Sequence, residues 1–397
     1  MNGTVVGSID PALPALGIFF DPDRLSELFS RPLYTDRLRH KRGVSAVARL
    51  RRPGTGALEA DPAPRWLAAY APEHAPKLDR TLARAAAQGY DVELIELGDG
   101  HTLVAGPIGV DMKLHRTLRP FAGSEPLTFP PGAVLNYNPH RRVVFRLGIG
   151  SAPLVCKAGQ ADATEAAFLD GLAARGVPVL QRVEPHDAPA ADGLRYYPWF
   201  GSGDLQQASR SHDPDVDRWA LAAGAALASL HAQPPQVARP PAHGPLRKLQ
   251  GLLERNASLL PAERARLTAI HATLVRRLGD GSAPVPVHGD FSADQVLVGP
   301  EGVLLADFDR STTAPPGLDV GAFVAVDLLH KPSSGRPLRE LFLAGYEEAG
   351  GRISEGTVLT WTAAHLLDRL NEPFRACSPR WREEMGDRLD LLEGLLQ

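Results

Sequence analysis

The sequence predicts an α+β chain in three stretches: an amino-terminal α+β unit over residues 1–130, a small β-rich unit over 131–200, and a mostly helical unit over 201–397. Three observations predict it. Short apolar runs of strand length, broken by Gly, Pro and Asn, crowd the first half. From Asp213 onward apolar residues recur at helical spacing. One hairpin-like stretch, Val285 to Asp309, interrupts those helices.

The elements follow in order. Asp21 or Asp23 can cap a short helix over Asp23 to Ser30. Arg37 to Leu50 alternates like a hairpin, and Pro53-Gly54-Thr55-Gly56 breaks the chain after it. Trp66 to Tyr70 reads as a strand, and Lys77 to Gln88 as an alanine-rich helix stopped by Gly89. Val134 to Tyr137 and Arg142 to Leu147 read as strands around Asn138-Pro139, Leu154 to Lys157 as a third strand, and Thr164 to Arg175 as a helix stopped by Gly176. The two series overlay, with Leu38, Arg49 and Leu50 on Leu135, Arg146 and Leu147, Tyr70 on Lys157, and Gly89 on Gly176. The expectation is an internal duplication of a strand-strand-strand-helix unit. Helices follow at Pro214 to Ala232, Pro245 to Leu260 and Pro261 to Leu278, and then near Leu318 to Leu329, Pro337 to Ala349, Glu355 to Arg369 and Arg380 to Leu396.

Bulk properties exclude several classes. The 397 residues are 44% hydrophobic and 22% charged, an ordinary globular balance that excludes bulk disorder. A net charge of −3 excludes a strong pull toward nucleic acid. Two cysteines, Cys156 and Cys377, are too few for a disulfide scaffold and suit a reducing cytoplasm. The apolar stretch Pro14 to Phe20 is too short for a membrane span. The expected location is therefore cytoplasmic, with neither nucleic acid nor membrane as partner. Only six of the 43 basic residues are lysine, so each lysine merits inspection.

The richest segment for chemistry is Val285 to Asp309. Two apolar strands, Val296-Leu297-Val298 and Val303 to Ala306, flank a turn at Gly299 to Gly302. Pairing them brings Gln295 beside Asp307, with Asp290 in the loop just ahead. Oxygen donors meeting at a loop edge suit Mg²⁺. Phosphoryl transfer needs such a metal to neutralise phosphates, and a carboxylate to orient a hydroxyl and take its proton.

His288-Gly289-Asp290, with Gln295 five residues after the aspartate and then Asp307-Phe308-Asp309, resembles the catalytic loop and metal aspartate of the aminoglycoside phosphotransferase and choline kinase family. That family has the protein-kinase-like, bilobal fold. The resemblance implies that Asp290 is the catalytic base and Asp307 the main Mg²⁺ ligand. Gln295 stands where the family usually has Asn and offers the same amide oxygen. Asp309 is a further ligand or holds the loop, Asp319 is structural, and His231 is a packed structural histidine. Upstream, the resemblance implies that Lys157 holds phosphate and Glu165 holds the lysine; the plain alternative for Lys157 is a solvated strand end. Arg195 to Gly201, with Tyr197 and Trp199, resembles the linker whose backbone hydrogen-bonds adenine. The loop Asn136 to Arg142 takes the place of a phosphate cover but lacks glycine, and Gly148-Ile149-Gly150 reads as a turn. The first copy carries Tyr70 and Leu78 at the lysine and glutamate positions, which implies a non-catalytic unit.

The expected activity is ATP- and Mg²⁺-dependent phosphoryl transfer to a hydroxyl of a small molecule, such as a sugar-containing antibiotic or a metabolite. Asp368, Asn371, Glu372 and Arg375 are the expected acceptor wall. Two alternatives stand beside it: a kinase for Ser or Thr of a precursor peptide, and a catalytically weak pseudokinase that only binds.

Overall fold

A computed structural model describes residues 10–53, 64–98, 100–123, 125–130, 132–149, 152–160, 164–235, 245–278, 283–330 and 337–397. Gly54, Thr55, Gly56 and Gly150 of the expected turns lie outside the described residues. The chain divides into two compact units. One comprises Met1–Ala161, Val183–Pro198 and Glu372–Glu384, the other Asp162–Arg182, Trp199–Asn371 and Met385–Gln397.

The first unit opens with a 3₁₀ helix Pro14–Phe20 and a helix Pro22–Phe29. Asp21 is the cap, accepting the Arg24 amide at 2.9 Å. β1 (Tyr34–Lys41), β2 (Ser45–Arg51), β3 (Arg65–Tyr70), β4 (Glu93–Gly98) and β5 (His101–Pro107) form an antiparallel sheet in the order β1-β2-β3-β5-β4. The helix Pro76–Ala87 lies between β3 and β4 in sequence. β6 (Val134–Asn138), β7 (Arg142–Ile149), β8 (Ala152–Gly159) and β9 (Leu194–Pro198) form a second sheet in the order β6-β7-β8-β9. Gly148 pairs with Pro153 inside this sheet, so the expected turn there begins later.

The two sheets share one plan. Each begins with a hairpin whose three-residue turn sets Lys41 opposite Ser45 and Asn138 opposite Arg142. Each third strand is followed by a helix that ends near a left-handed glycine, Gly89 at φ 70° and Gly176 at φ 81°. In each, the last strand pairs with the third. The edge strand β4, which the sequence reading missed, is represented in the second sheet by a single bridge from Val183 to Tyr196. The pairing also corrects the overlay. Ser45 pairs with Tyr70 and Arg142 with Gly159, so Tyr70 matches Gly159, and the match to Lys157 is Ala68.

A common core lies between these sheets. Trp66, Ala68 and Tyr70 of β3 share it with Tyr137, Phe145, Cys156, Ala158 and Tyr196 of the second sheet. Strand alternation then puts Lys157 on the opposite face of β8, in register with Val144 and Arg195. The β6–β7 turn is fastened to the first sheet's side. The buried carboxylate of Asp111 accepts the Tyr137 hydroxyl and the His140 amide, both at 2.8 Å. Arg39 donates to the His140 carbonyl at 2.9 Å, and the His140 ring lies 5.8 Å from Trp66. The returning segment 372–384 joins the same unit through Phe374 and Trp381, whose rings lie 5.0 and 6.3 Å from Phe20.

In the second unit, the helix Glu165–Ala173 leads to Val179, which bridges in parallel to Leu305. β10 (Gly203–Asp204) joins a sheet with β12 (Val296–Gly299) and β13 (Gly302–Leu305), while β11 (Val285–Val287) pairs with β14 (Thr312–Ala314). Around them lie the helices Leu205–Ser211, Val216–His231, Pro245–Leu259, Arg264–Leu278, Gly317–Leu329, Arg339–Glu348 and Glu355–Arg369. Helices Val216–His231 and Arg339–Glu348 approach at glycine: a Cβ on Gly224 would sit 2.1 Å from the Phe342 carbonyl oxygen. Phe323 and Phe342 stack at 3.9 Å, with Phe291 of the loop after β11 packed 5.8 Å from Phe323. No described helix is long and apolar enough to cross a membrane.

Candidate active site

The loop from His288 to Gln295 is built from its buried ends inward. Asp319, fully buried in the first turn of its helix, accepts the His288 amide at 2.6 Å and the Gly289 amide at 2.8 Å. His231 lies 3.2 Å from the same carboxylate, and its other ring nitrogen lies 2.9 Å from the Tyr346 hydroxyl. Burial alone would raise the Asp319 pKa. The hydrogen bond and charge of His231, the nearby His288 and the Gly289 amide outweigh it and hold the carboxyl below its ordinary value. Asp319 and His231 are thus the structural residues the sequence led one to expect.

Gly289 is required where it stands. Its φ is +85°, and a Cβ there would meet the Arg310 carbonyl oxygen at 2.1 Å. That close approach packs the loop's start on the Phe308–Arg310 turn. The buried His288 ring completes the fastening: its Nε2 donates to the Ala306 carbonyl at 2.7 Å, between the rings of Phe291 and Phe308.

Gln295 and Asp307 converge as the hairpin pattern predicts. Val296 pairs with Leu305, and the Ala306 amide donates to the Gln295 carbonyl at 2.9 Å. The two residues therefore leave the paired strands at adjacent positions. Asp307 has left-handed backbone angles, φ 65° and ψ 54°, uncommon for a residue with a Cβ. Asp309 follows in the 3₁₀ turn and is exposed. Among the described residues, no three His, Cys, Asp or Glu side chains form a set that could hold a metal. Asp290, Asp307 and Asp309 thus do not gather into one carboxylate cage.

Asp290 is 43% exposed at the side chain and faces two guanidinium groups, Arg310 Nη1 at 3.1 Å and Arg369 Nη2 at 3.9 Å. Sequence reasoning missed both arginines. Arg310 directly follows the Asp-Phe-Asp motif, but the general excess of arginine hid that signal.

Of the expected acceptor wall, Asp368 and Asn371 belong to the second unit and Glu372 and Arg375 to the first. Asp368 is engaged by Lys248 at 2.7 Å and Arg255 at 3.0 Å. Asn371 is buried, while Glu372 and Arg375 fall in the segment that belongs to the first unit.

In the first unit, Lys157 is only 6% exposed, which excludes a solvated strand end. Tyr197 is buried on β9 opposite Val155. In the second unit, Glu165 is buried in the first turn of its helix, and the Trp199 indole donates to the Gly201 carbonyl at 3.0 Å. The expected phosphate cover is a tight turn of three residues, Pro139 to Arg141, with His140 left-handed at φ 58°.

A family model described as the phosphotransferase enzyme family matches residues 140–371. Among solved structures the chain is similar to a choline/ethanolamine kinase family protein from Mesorhizobium loti, at 16% identity and TM-score 0.48 over 67% of this chain and 88% of that one. It is similar to a spectinomycin phosphotransferase solved with ADP and spectinomycin, at 15% identity and TM-score 0.46 over 66% and 91% of the respective chains. It is also similar to a macrolide 2′-phosphotransferase from Brachybacterium faecium, at 17% identity and TM-score 0.39 over 79% and 98%. No curated protein matches the chain.

Proposed function

The chain belongs to the phosphotransferase enzyme family, with the protein-kinase-like α+β fold, and from that premise we propose that it moves the γ-phosphoryl group of ATP to a hydroxyl of a small molecule. One observation carries the reading. Asp319 fixes both amides that precede Asp290, while the backbone bond from Ala306 to the Gln295 carbonyl sets positions 295 and 307 at neighbouring strand ends. A base is thereby held on a rigid loop next to an oxygen-donor pair, as phosphoryl transfer requires.

Asp290 accepts the proton of the acceptor hydroxyl as the hydroxyl oxygen attacks the γ-phosphorus; the bond from that phosphorus to the β,γ-bridging oxygen breaks, and ADP leaves with its electron pair. Asp307 and Gln295 would hold the metal. Their all-oxygen donor set fits Mg²⁺, which keeps several sites for water and phosphate and so needs no third carboxylate. When bound, the ion supplies charge neutralisation on the phosphates. Asp309 holds the turn that presents Asp307. Lys157 binds nucleotide phosphate, and the chain around Tyr197 receives adenine. Residues 131–200 and 201–397 form the catalytic lobes. Residues 1–130 are a non-catalytic copy of the small lobe.

The test is ADP release by the full chain with MgATP and pooled hydroxyl acceptors, wild type against Asp290→Asn. Metal-dependent turnover that the variant loses supports the reading. Equal turnover by both overturns it.

A further inference from the structure

We propose that the acceptor is a small hydroxyl compound that carries an anionic group, a carboxylate or phosphate, and that Arg310 and Arg369 hold this group beside Asp290. The proposal rests on the kinase reading above and narrows its substrate class.

The geometry begins at the base. Asp290 has guanidinium groups at 3.1 and 3.9 Å, from two different elements: Arg310 from the turn after β13 and Arg369 from the last turn of helix Glu355–Arg369. Planar guanidinium forks match carboxylate and phosphate oxygens in pairs. Both side chains are accessible, at 48% and 24% exposure.

The surroundings add positive charge. Asp368, next to Arg369, is closed by Lys248 and Arg255, and those cations hold its carboxyl below its ordinary pKa against the opposing effect of burial. It offers no open acid to a cationic acceptor. His365, one turn before Arg369, is pushed down to about 4 by burial and by Lys248, so it is uncharged near neutrality. Arg388 donates to the Arg369 carbonyl at 2.6 Å. Around this helix end Arg310 and Arg369 face Asp290, Lys248 and Arg255 face Asp368, and Arg388 adds a further cation. A polycationic acceptor would meet like charge from the arginines next to the base, whereas an anionic one is held by these same guanidinium groups, which it shares with Asp290. The attack itself is unchanged: the acceptor oxygen bonds to phosphorus, its proton passes to Asp290, and ADP departs.

The experiment uses the full chain with MgATP and three acceptor panels of matched skeleton: hydroxy acids such as glycerate, neutral polyols such as glycerol, and amino alcohols such as 3-amino-1,2-propanediol. Turnover is expected with the hydroxy acids. Arg369→Gln and Arg310→Gln should each raise the acceptor KM by about tenfold or more with a smaller change in kcat, as loss of a charged hydrogen bond predicts. Arg369→Lys should recover part of that loss, and nucleotide affinity reports that each variant is folded. Preference for amino alcohols or neutral polyols overturns the proposal. So does ATP hydrolysis with no hydroxy acid accepted, or a fall in kcat at unchanged acceptor KM, which would assign the arginines to the transferred phosphoryl group. Absence of any Asp290-dependent ADP release, even to water, takes down the kinase reading itself and this proposal with it.

Discussion

The carboxylate of Asp111 accepts the backbone amide of His140 at 2.8 Å and so pins the tip of the β6–β7 hairpin. The same side chain serves the Tyr137 hydroxyl and the amides of Lys113 and Leu114. Asp111→Ala strands these donors in a buried place. The expected loss is about 3 kcal/mol of unfolding free energy, read by urea denaturation. If this turn covers nucleotide phosphates, the nucleotide KM rises as well. An unchanged urea midpoint would show that the pin is not needed.

Asp319→Asn keeps the shape but replaces one acceptor oxygen with a donor that faces an amide. The His288–Gly289 segment shifts and the base moves with it. The expected fall in kcat is about 100-fold, since small misplacements of a reacting group cost that much. Steady-state kinetics alongside circular dichroism separate this from unfolding.

Asp290→Asn removes the proposed proton acceptor and leaves the loop's anchors in place. The rate should fall by about 10²–10⁴, the range for general-base loss. Calorimetric affinity for a nonhydrolysable ATP analogue should stay near wild type.

Gln295→Ala removes one of the two oxygen donors at the strand ends. The Mg²⁺ concentration for half-maximal rate should rise several-fold, by roughly the worth of one neutral ligand. Gln295→Asn keeps an amide on a shorter stem and should fall between wild type and the alanine variant in a metal titration.

His365 sets a pH dependence. Burial and Lys248 hold its imidazole down to about 4 against an ordinary 6.5. Between those values the unfolded chain takes a proton that the native chain refuses. Stability from this group is therefore fully present above pH 6.5 and falls as pH drops toward 4, by about 1.4 kcal/mol per unit at most. His365→Gln should flatten that part of a stability-versus-pH curve measured by denaturant titration.

Much of the site was legible because short-range pattern fixes it. The apolar strands around Gly299 to Gly302 dictate a hairpin, and a hairpin dictates that Gln295 meets Asp307. The helix stops at Gly89 and Gly176 were legible for the same reason, since each needs a left-handed residue. What escaped depends on long-range pairing. Ala68 rather than Tyr70 matches Lys157 because strand register, not residue type, decides it. β4 alternates half-buried and exposed residues at a sheet edge, a weak signal beside its helical neighbour. Arg369 lies 79 positions from Asp290, and no local pattern links them.

The core that Trp66, Ala68 and Tyr70 share with the second sheet closes that face of β3 to any ligand. A lysine placed at position 68 would meet no ligand. It would bury a charge between two sheets and push them apart, at a cost of several kcal/mol. The register position that carries Lys157 in β8 is taken in β3 by a residue that serves as the footing of the neighbouring sheet.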